Sequence, residues 1–219
     1  MNDLISTGLL GLDKLLGGGI AAGTITDIFG PAGSGKTQLA LQICVNLLDR
    51  GNVVYQDTSG GFRPERLLGL VQSRGKNEKL LDKVIVARIT NVAEQVNYVN
   101  KIAEINPSLV VIDDVTSLFS FEYSKESSTL EKHVRFMEYM RMLSLVAIQE
   151  KIPIVITNTV RSSGKEEMEN LDKSISMFTH RKVQLAKVGQ KFIAQVFPFF
   201  GLGKQISYEI TKNGVVELS

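Results

Sequence analysis

The chain has 219 residues, with 25 Lys and Arg against 23 Asp and Glu for a formal charge of +2, and 43% of it is hydrophobic. That is enough chain to bury a full core in an ordinary globular composition, and the charge is too near zero for a protein that coats nucleic acid unspecifically. No apolar stretch approaches the roughly 18 residues of a membrane span, and Met1-Asn2-Asp3-Leu4 lacks the basic-then-apolar order of a signal peptide. The single cysteine, Cys44, cannot form an internal disulfide and reads as core filler, so a cytoplasmic setting is expected.

The first expected strand spans 24–29, where Thr24-Ile25-Thr26-Asp27-Ile28-Phe29 is apolar and β-branched. Directly after it, Gly30-Pro31-Ala32-Gly33-Ser34-Gly35-Lys36-Thr37 meets every fixed position of the phosphate-binding loop G-x-x-x-x-G-K-[ST], and Gln38 leads into an apolar helical run over 36–50. Glycines let successive N–H groups turn toward phosphate oxygens, and the helix adds its positive N-terminal end. These nine residues are expected to hold a nucleoside triphosphate, with Lys36 on the β- and γ-phosphates and Thr37 on Mg²⁺.

Beyond the loop, strands are expected near 53–57 and 84–87, with helices near 64–74 and 92–105. The run Leu109-Val110-Val111-Ile112-Asp113 then reads as a strand buried on both faces, with a carboxylate emerging at its carboxyl end. About 75 residues after a phosphate loop, Asp113 is expected to hold Mg²⁺ through water, while Asp114 faces a hydrogen-bond partner or solvent. A helix over 127–150 carries Phe136, Met137, Tyr139, Met140, Met142 and Leu143 as a core-facing stripe, with His133 an exposed polar residue, and a strand follows at 152–158. One Cys and two His leave no metal-ligand cluster of that type.

Strands and helices thus alternate as in a doubly wound sheet. After 180 the texture changes to shorter runs, 181–188 and 191–197 joined by Val188-Gly189-Gln190, then 205–211 and 215–218 joined by Lys212-Asn213-Gly214. The expectation is one α/β P-loop NTPase domain over 1–219, its mostly parallel central sheet flanked by helices and extended by antiparallel C-terminal strands.

From His180 to Lys204 the basic residues Arg181, Lys182, Lys187, Lys191 and Lys204 occur with no Asp or Glu. Such a tract suits a phosphate-tracking groove, and equally a solvated hairpin edge where lysine blocks strand pairing. Phe62 and Phe178 are candidate base-stacking residues, with a core role as the alternative for both.

Several segments resemble the RecA/RadA recombinase ATPase core. They are Ile5-Ser6-Thr7-Gly8, the run from Leu12-Asp13 through Gly17-Gly18-Gly19-Ile20, Gly23 to Gly30, Tyr55-Gln56-Asp57-Thr58, Gly61-Phe62-Arg63-Pro64-Glu65-Arg66-Leu67, and Ile210 to Val215. The resembling core begins within five residues of Met1, so no N-terminal helical DNA-binding domain of the strand-exchange recombinase kind is expected, and in this the chain is similar to the archaeal RadB paralogue group. The resemblance implies a RecA-like fold, ATP and Mg²⁺ as ligands, and a part in homologous recombination and DNA repair. It implies a RadA-type recombinase or other repair protein as partner, no membrane partner, and weak single-stranded DNA binding, with self-association left open. The family's second DNA-binding loop matches the segment with Arg161 and Lys165, and Arg181, Lys182, Lys187 and Lys191 would extend that surface. Acidic Glu166, Glu167, Glu169 and Asp172 offset it.

Two departures bear on hydrolysis. Where the family has a glutamate that activates the attacking water, this chain has Ser59, and where it has a glutamine that senses the γ-phosphate, this chain has Thr159. A positioned general base contributes about 10²–10⁴-fold, so slow or negligible hydrolysis is expected unless Asp57 or Asp114 orients the water. A regulatory ATPase of the clock-protein type, not acting on DNA, is the alternative; Arg63-Pro64-Glu65-Arg66-Leu67 resembles the recombinase branch more closely.

Overall fold

A computed structural model describes residues 4–163, 166–189, 191–197 and 205–218. Five strands form a parallel block in the order β1-β5-β4-β2-β3: β1 (Ile25–Gly30), β2 (Val53–Asp57), β3 (Val84–Arg88), β4 (Leu109–Asp113) and β5 (Ile154–Ser163). β6 (Glu166–Glu169) folds back antiparallel on the far end of β5. On the other side of β1 lies β7 (Arg181–Val188), parallel to it, followed by antiparallel β8 (Lys191–Phe197), β9 (Gln205–Thr211) and β10 (Gly214–Leu218). The mostly parallel sheet with an antiparallel extension is the expected architecture.

The helices are α1 (Leu10–Leu15), α2 (Lys36–Leu47), α3 (Pro64–Ser73), α4 (Val92–Ile105), α5 (Ser117–Glu122), α6 (Thr129–Glu150) and α7 (Asp172–Ser176). The expected helix over 36–50 stops at Leu47, and the expected strand at 152–158 runs on to Ser163 because its end pairs with β6. α1, α5, α7, β6 and the 3₁₀ turn Glu78–Lys83 are too short to leave a periodic signal. Longer elements follow their local chemistry: the Asn91 side chain accepts from the Glu94 N–H at the start of α4, and α4 and α6 end at Asn106 and Lys151 in left-handed conformation.

β1, β2 and β4 are buried at every position, which is why their sequences are apolar without alternation. One core layer joins α1 and α2 to the sheet, and the other packs α4 and α6 on the opposite face. Within the second, Phe119 meets Phe136 edge-on with ring centroids 5.0 Å apart, and Tyr139 at 5.6 Å. Full burial of each such ring is worth about 1.5–3 kcal/mol. The α6 stripe is as expected at Phe136, Tyr139, Met140 and Leu143, while Met137 and Met142 are half-buried. His133 is not exposed: it is half-buried, its Nδ1 3.3 Å from the Ser174 hydroxyl. Phe62 packs on Tyr55 with centroids 4.9 Å apart and Phe178 packs against the second core, so both take the core role rather than that of a stacking platform.

A buried side chain ties the ends of the chain to α2. Gln42 donates to the Thr7 carbonyl at 3.0 Å and the Val215 carbonyl at 3.2 Å, and accepts from the Val215 N–H at 3.0 Å. Strand register then fixes the site: Asp57 lies beside Asp113, and Gly30 beside Thr159, all at carboxyl ends of parallel strands where ligands bind in such sheets.

Candidate nucleotide site and flanking basic residues

The phosphate loop leaves β1 through Gly30, whose backbone passes so close to β7 that a Cβ there would sit 2.1 Å from the Leu185 carbonyl oxygen. Gly35, in left-handed conformation at φ 94°, turns the chain into α2. The Lys36 ammonium donates to the carbonyls of Gly30 at 2.8 Å and Pro31 at 2.9 Å, so the loop closes around its own lysine. Burial pushes the Lys36 pKa down, against the opposing pull of Asp114 and Asp113.

Thr37 and Asp113 meet directly: the hydroxyl donates to Oδ2 at 2.7 Å. Tyr55 donates to the same oxygen at 2.7 Å, and Thr157 of β5 donates a short hydrogen bond to Oδ1. Three hydroxyls therefore hold one buried carboxylate at the foot of the loop. Burial first, and then the Asp113 charge, raises the Tyr55 pKa well above its ordinary value, so the phenol stays a donor. Above the pair lies a cavity of about 310 Å³ lined by Gly33, Gly35, Lys36, Thr37, Gln38 and Ile210. Its outer wall comes from the C-terminal hairpin, where the Tyr208 hydroxyl donates to the Ser34 carbonyl at 2.6 Å. Arg66 joins Gln38 to that hairpin, donating to the Gln38 side chain and to the carbonyls of Thr211, at 2.6 Å, and Lys212.

These residues fit a triphosphate and a divalent cation. A hydroxyl paired with a carboxylate is a hard-oxygen donor set, and the Ser34 hydroxyl is buried without a hydrogen-bond partner among the described residues. Tyr55, Thr157, Tyr208 and Ile210 were not among the expected site residues. Thr157 could have been found from its place at the carboxyl end of an expected strand. Tyr208 left no local signal, since its contact spans 174 residues.

The residues that the resemblance connects with hydrolysis are engaged in local hydrogen bonds. The Asp57 carboxylate accepts from the N–H groups of Gly60 at 2.7 Å, Gly61 at 3.0 Å and Phe62 at 3.3 Å, with Arg88 3.5 Å away, so it anchors its own turn. This anchoring is the role in which the structure places Asp57, the residue named as a possible substitute for the missing glutamate. The Ser59 hydroxyl donates to Asp57 at 3.3 Å and accepts from the Gly61 N–H at 3.1 Å in the same turn. Thr159 is half-buried, with its N–H on the Asn158 side chain at 2.9 Å and its carbonyl on the Asn170 N–H at 3.0 Å. Asp114 accepts on Oδ1 from Thr116 and Ser117, and its Oδ2 is buried with no hydrogen-bond partner among the described residues. Burial pushes Asp114 up to about 6.

The expected basic tract does not form one line. Lys182 is turned inward: its ammonium meets Glu169, Asp172 at 2.5 Å and Asp27 at 3.8 Å, and lies over the Phe29 ring at 5.0 Å. Its side chain is 13% exposed, which removes it from the expected DNA-facing set. The physical reason is strand alternation, which sends Lys182 to the face opposite Arg181 and Lys187. Arg181 sits at the start of β7, level with Thr26, and donates to the His180 carbonyl at 3.0 Å. Lys187 and Lys191 are exposed at the β7–β8 turn, beyond the end of β1 that carries the phosphate loop. Arg161 is exposed where β5 pairs with β6, whereas Lys165 and Lys204 lie outside the described residues.

Comparison with known proteins agrees with this geometry. The Rad51 family model matches residues 3–196. A DNA repair and recombination protein RadB of Pyrococcus abyssi is 38% identical over 221 aligned positions, covering 98% of this chain and 94% of that protein. A RadB of Thermococcus sibiricus is 35% identical, covering 98% and 96%. A RadA of Cenarchaeum symbiosum is 37% identical over 172 positions, 73% of this chain and 43% of that protein. A buried parallel sheet, a phosphate loop and a carboxylate held under it are thus accompanied by similarity along nearly the whole chain, which belongs to the Rad51 family, in the RecA/RadA-like group with the archaeal RadB proteins.

Proposed function

We propose that this protein binds ATP with Mg²⁺ and serves homologous recombination and DNA repair, with the nucleotide acting as a conformational ligand more than as fuel. The observation that carries this reading is the Thr37–Asp113 pair at 2.7 Å under a complete phosphate loop, beside a Ser59 turn that has no carboxylate free to orient water. Gly30 to Gln38 would hold the phosphates, and Thr37 and Asp113 the cation. Bound Mg²⁺ supplies charge neutralisation on the phosphates. Lys36 exchanges two carbonyl partners for phosphate oxygens, which suits an ammonium already partly stripped of water. Turnover is slow because positioned charge remains while water activation is lost.

The names of the RadB and RadA relatives support the recombination and repair role. Single-stranded DNA binds weakly, through Arg161, Lys187 and Lys191 at the carboxyl end of the sheet, and a RadA-type recombinase is the partner. Isothermal titration with Mg-ATP, together with a single-turnover hydrolysis assay, tests the nucleotide part. Binding with little turnover is expected; brisk, DNA-stimulated hydrolysis overturns the reading.

The inward turn of Lys182 favours a second reading, a regulatory ATPase that does not act on DNA. Fluorescence anisotropy with a labelled single strand separates the two: a salt-dependent shift supports the first and its absence the second.

A further inference from the structure

The outward face of α6 carries apolar residues that no other described element covers. Leu130 is 76% exposed, Val134 49%, Leu145 42% and Ile148 55%, and among the described residues no other element exposes as many large apolar side chains. Single exposed leucines are ordinary on a protein surface, but these four share one stripe. With half-buried Met137 and exposed Arg141 they follow one another from Leu130 to Ile148 at steps of 4, 3, 4, 4 and 3 residues, the spacing that keeps side chains on one side of a helix. The opposite side of α6 is fixed, with Phe136, Tyr139, Met140, Leu143 and Ala147 fully buried in the core. A rigid rod of 22 residues, about 33 Å long, therefore presents the stripe, and little ordering is lost when something docks on it.

Charge says what fits it. Glu138 and Arg141 stand exposed at the middle of the helix, Glu138 3.6 Å from Arg135, and Arg141 in no ion pair among the described residues. Lay a second α6 antiparallel, with the two-fold axis between Tyr139 and Met140, and Glu138 of each copy falls opposite Arg141 of the other. Val134 then falls opposite Leu145, and Leu130 lies beside Ile148 at both ends. A parallel pair would instead set Arg141 against Arg141 and Glu138 against Glu138, which like charge disfavours. The stripe and its two charges are self-complementary only in the antiparallel arrangement, where one patch meets its own copy.

We propose that the outward face of α6 is a homodimer interface, its occupant the α6 of a second copy of this chain. The contact closes on itself, so it ends at the dimer and leaves no half free to recruit a third copy. None of the nucleotide-site residues lies on α6, which makes this surface separate from the phosphate loop. One helix pair is at the small end of specific interfaces, so the dimer forms in the micromolar range.

Sedimentation velocity of the full chain, over concentrations from low to high micromolar, tests this. The wild type passes from monomer to dimer and no further. Leu145→Glu sets a carboxylate against Val134 of the second copy and weakens the dimer by about tenfold or more. Glu138→Arg and Arg141→Glu, each alone, do the same by placing like charges opposite one another. Combined in one chain they restore both pairs with their signs exchanged, and the affinity returns to within about threefold of the wild type. All these positions are exposed, so the variants keep the fold, which circular dichroism checks. A wild type that stays monomeric at every concentration overturns the proposal, as does a dimer indifferent to Leu145→Glu or a double exchange no tighter than the single changes. If a monomeric wild type instead binds a RadA-type recombinase and Leu145→Glu abolishes that binding, the stripe belongs to the recombinase and the homodimer falls.

Discussion

The Tyr208 hydroxyl donates to the Ser34 carbonyl at 2.6 Å, so a strand of the C-terminal hairpin holds the bend of the phosphate loop. The ring is buried and stacks on Phe192 with centroids 5.5 Å apart, which leaves the hydroxyl one direction to point. Tyr208→Phe removes the donor and leaves a buried carbonyl unsatisfied. It should cost about 1–2 kcal/mol of stability and weaken Mg-ATP binding several-fold, read by thermal denaturation and isothermal titration.

Lys36→Ala and Thr37→Ala separate charge from cation binding. Lys36→Ala should weaken ATP binding with or without Mg²⁺ and leave the circular dichroism spectrum intact. Thr37→Ala should lose mainly the Mg²⁺-dependent part, since its hydroxyl is the group paired with Asp113. Equal affinities in wild type and both variants would remove the loop from the site.

Ser59→Glu places a carboxylate at the position where the family has its water-activating glutamate. Single-turnover kcat should rise about tenfold with little change in ATP affinity, because the new group acts on the attacking water and not on bound phosphates. Full recovery is not expected while Thr159 stands at the glutamine position, since such residues act as a unit.

The basic residues divide by exposure. Lys187→Ala with Lys191→Ala should lower single-stranded DNA affinity and flatten its dependence on log salt by about 0.7 for each phosphate no longer neutralised. Lys182→Ala should leave that slope unchanged and instead destabilise the fold by about 3–5 kcal/mol, because it strips Glu169 and Asp172 of their shared cation. Urea unfolding and anisotropy titrations read the two effects.

Asp27 is fully buried, and burial, followed by the neighbouring Glu169 charge, raises its pKa well above the ordinary value, with Lys182 opposing and Asp114 adding to the rise. The native state therefore holds a proton that the unfolded chain releases near about pH 3.9, and stability falls as pH rises from there through the raised native value. Asp27→Asn removes that dependence. It should stabilise the protein at neutral pH, by about 1.4 kcal/mol for every pH unit between the unfolded and native titrations, and give no gain below about pH 4. Urea unfolding in acidic, near-neutral and mildly alkaline buffer measures it, and a variant destabilised in the alkaline buffer would show that Asp27 is held charged by Lys182.

Local chemistry determined the fold class and half of the site. A strand buried on both faces must be apolar throughout, and a loop that wraps phosphate must combine glycines with Lys36 and Thr37, so β1, β4, the phosphate loop and Asp113 were legible in the sequence as written. Lys182 was not: its charge is visible, but which face of β7 it takes, and that Glu169 and Asp172 wait there, depends on how β6 and α7 fold back against the sheet. The same holds for Asp57, whose carboxylate accepts from three backbone N–H groups of its own turn. Tyr208, Arg66 and Gln42 are further cases, because each joins segments far apart in the chain. Periodicity and motif spacing report what a residue does to its near neighbours. A buried hydrogen bond across 174 positions is set by sheet order and register, and only the tertiary structure decides those.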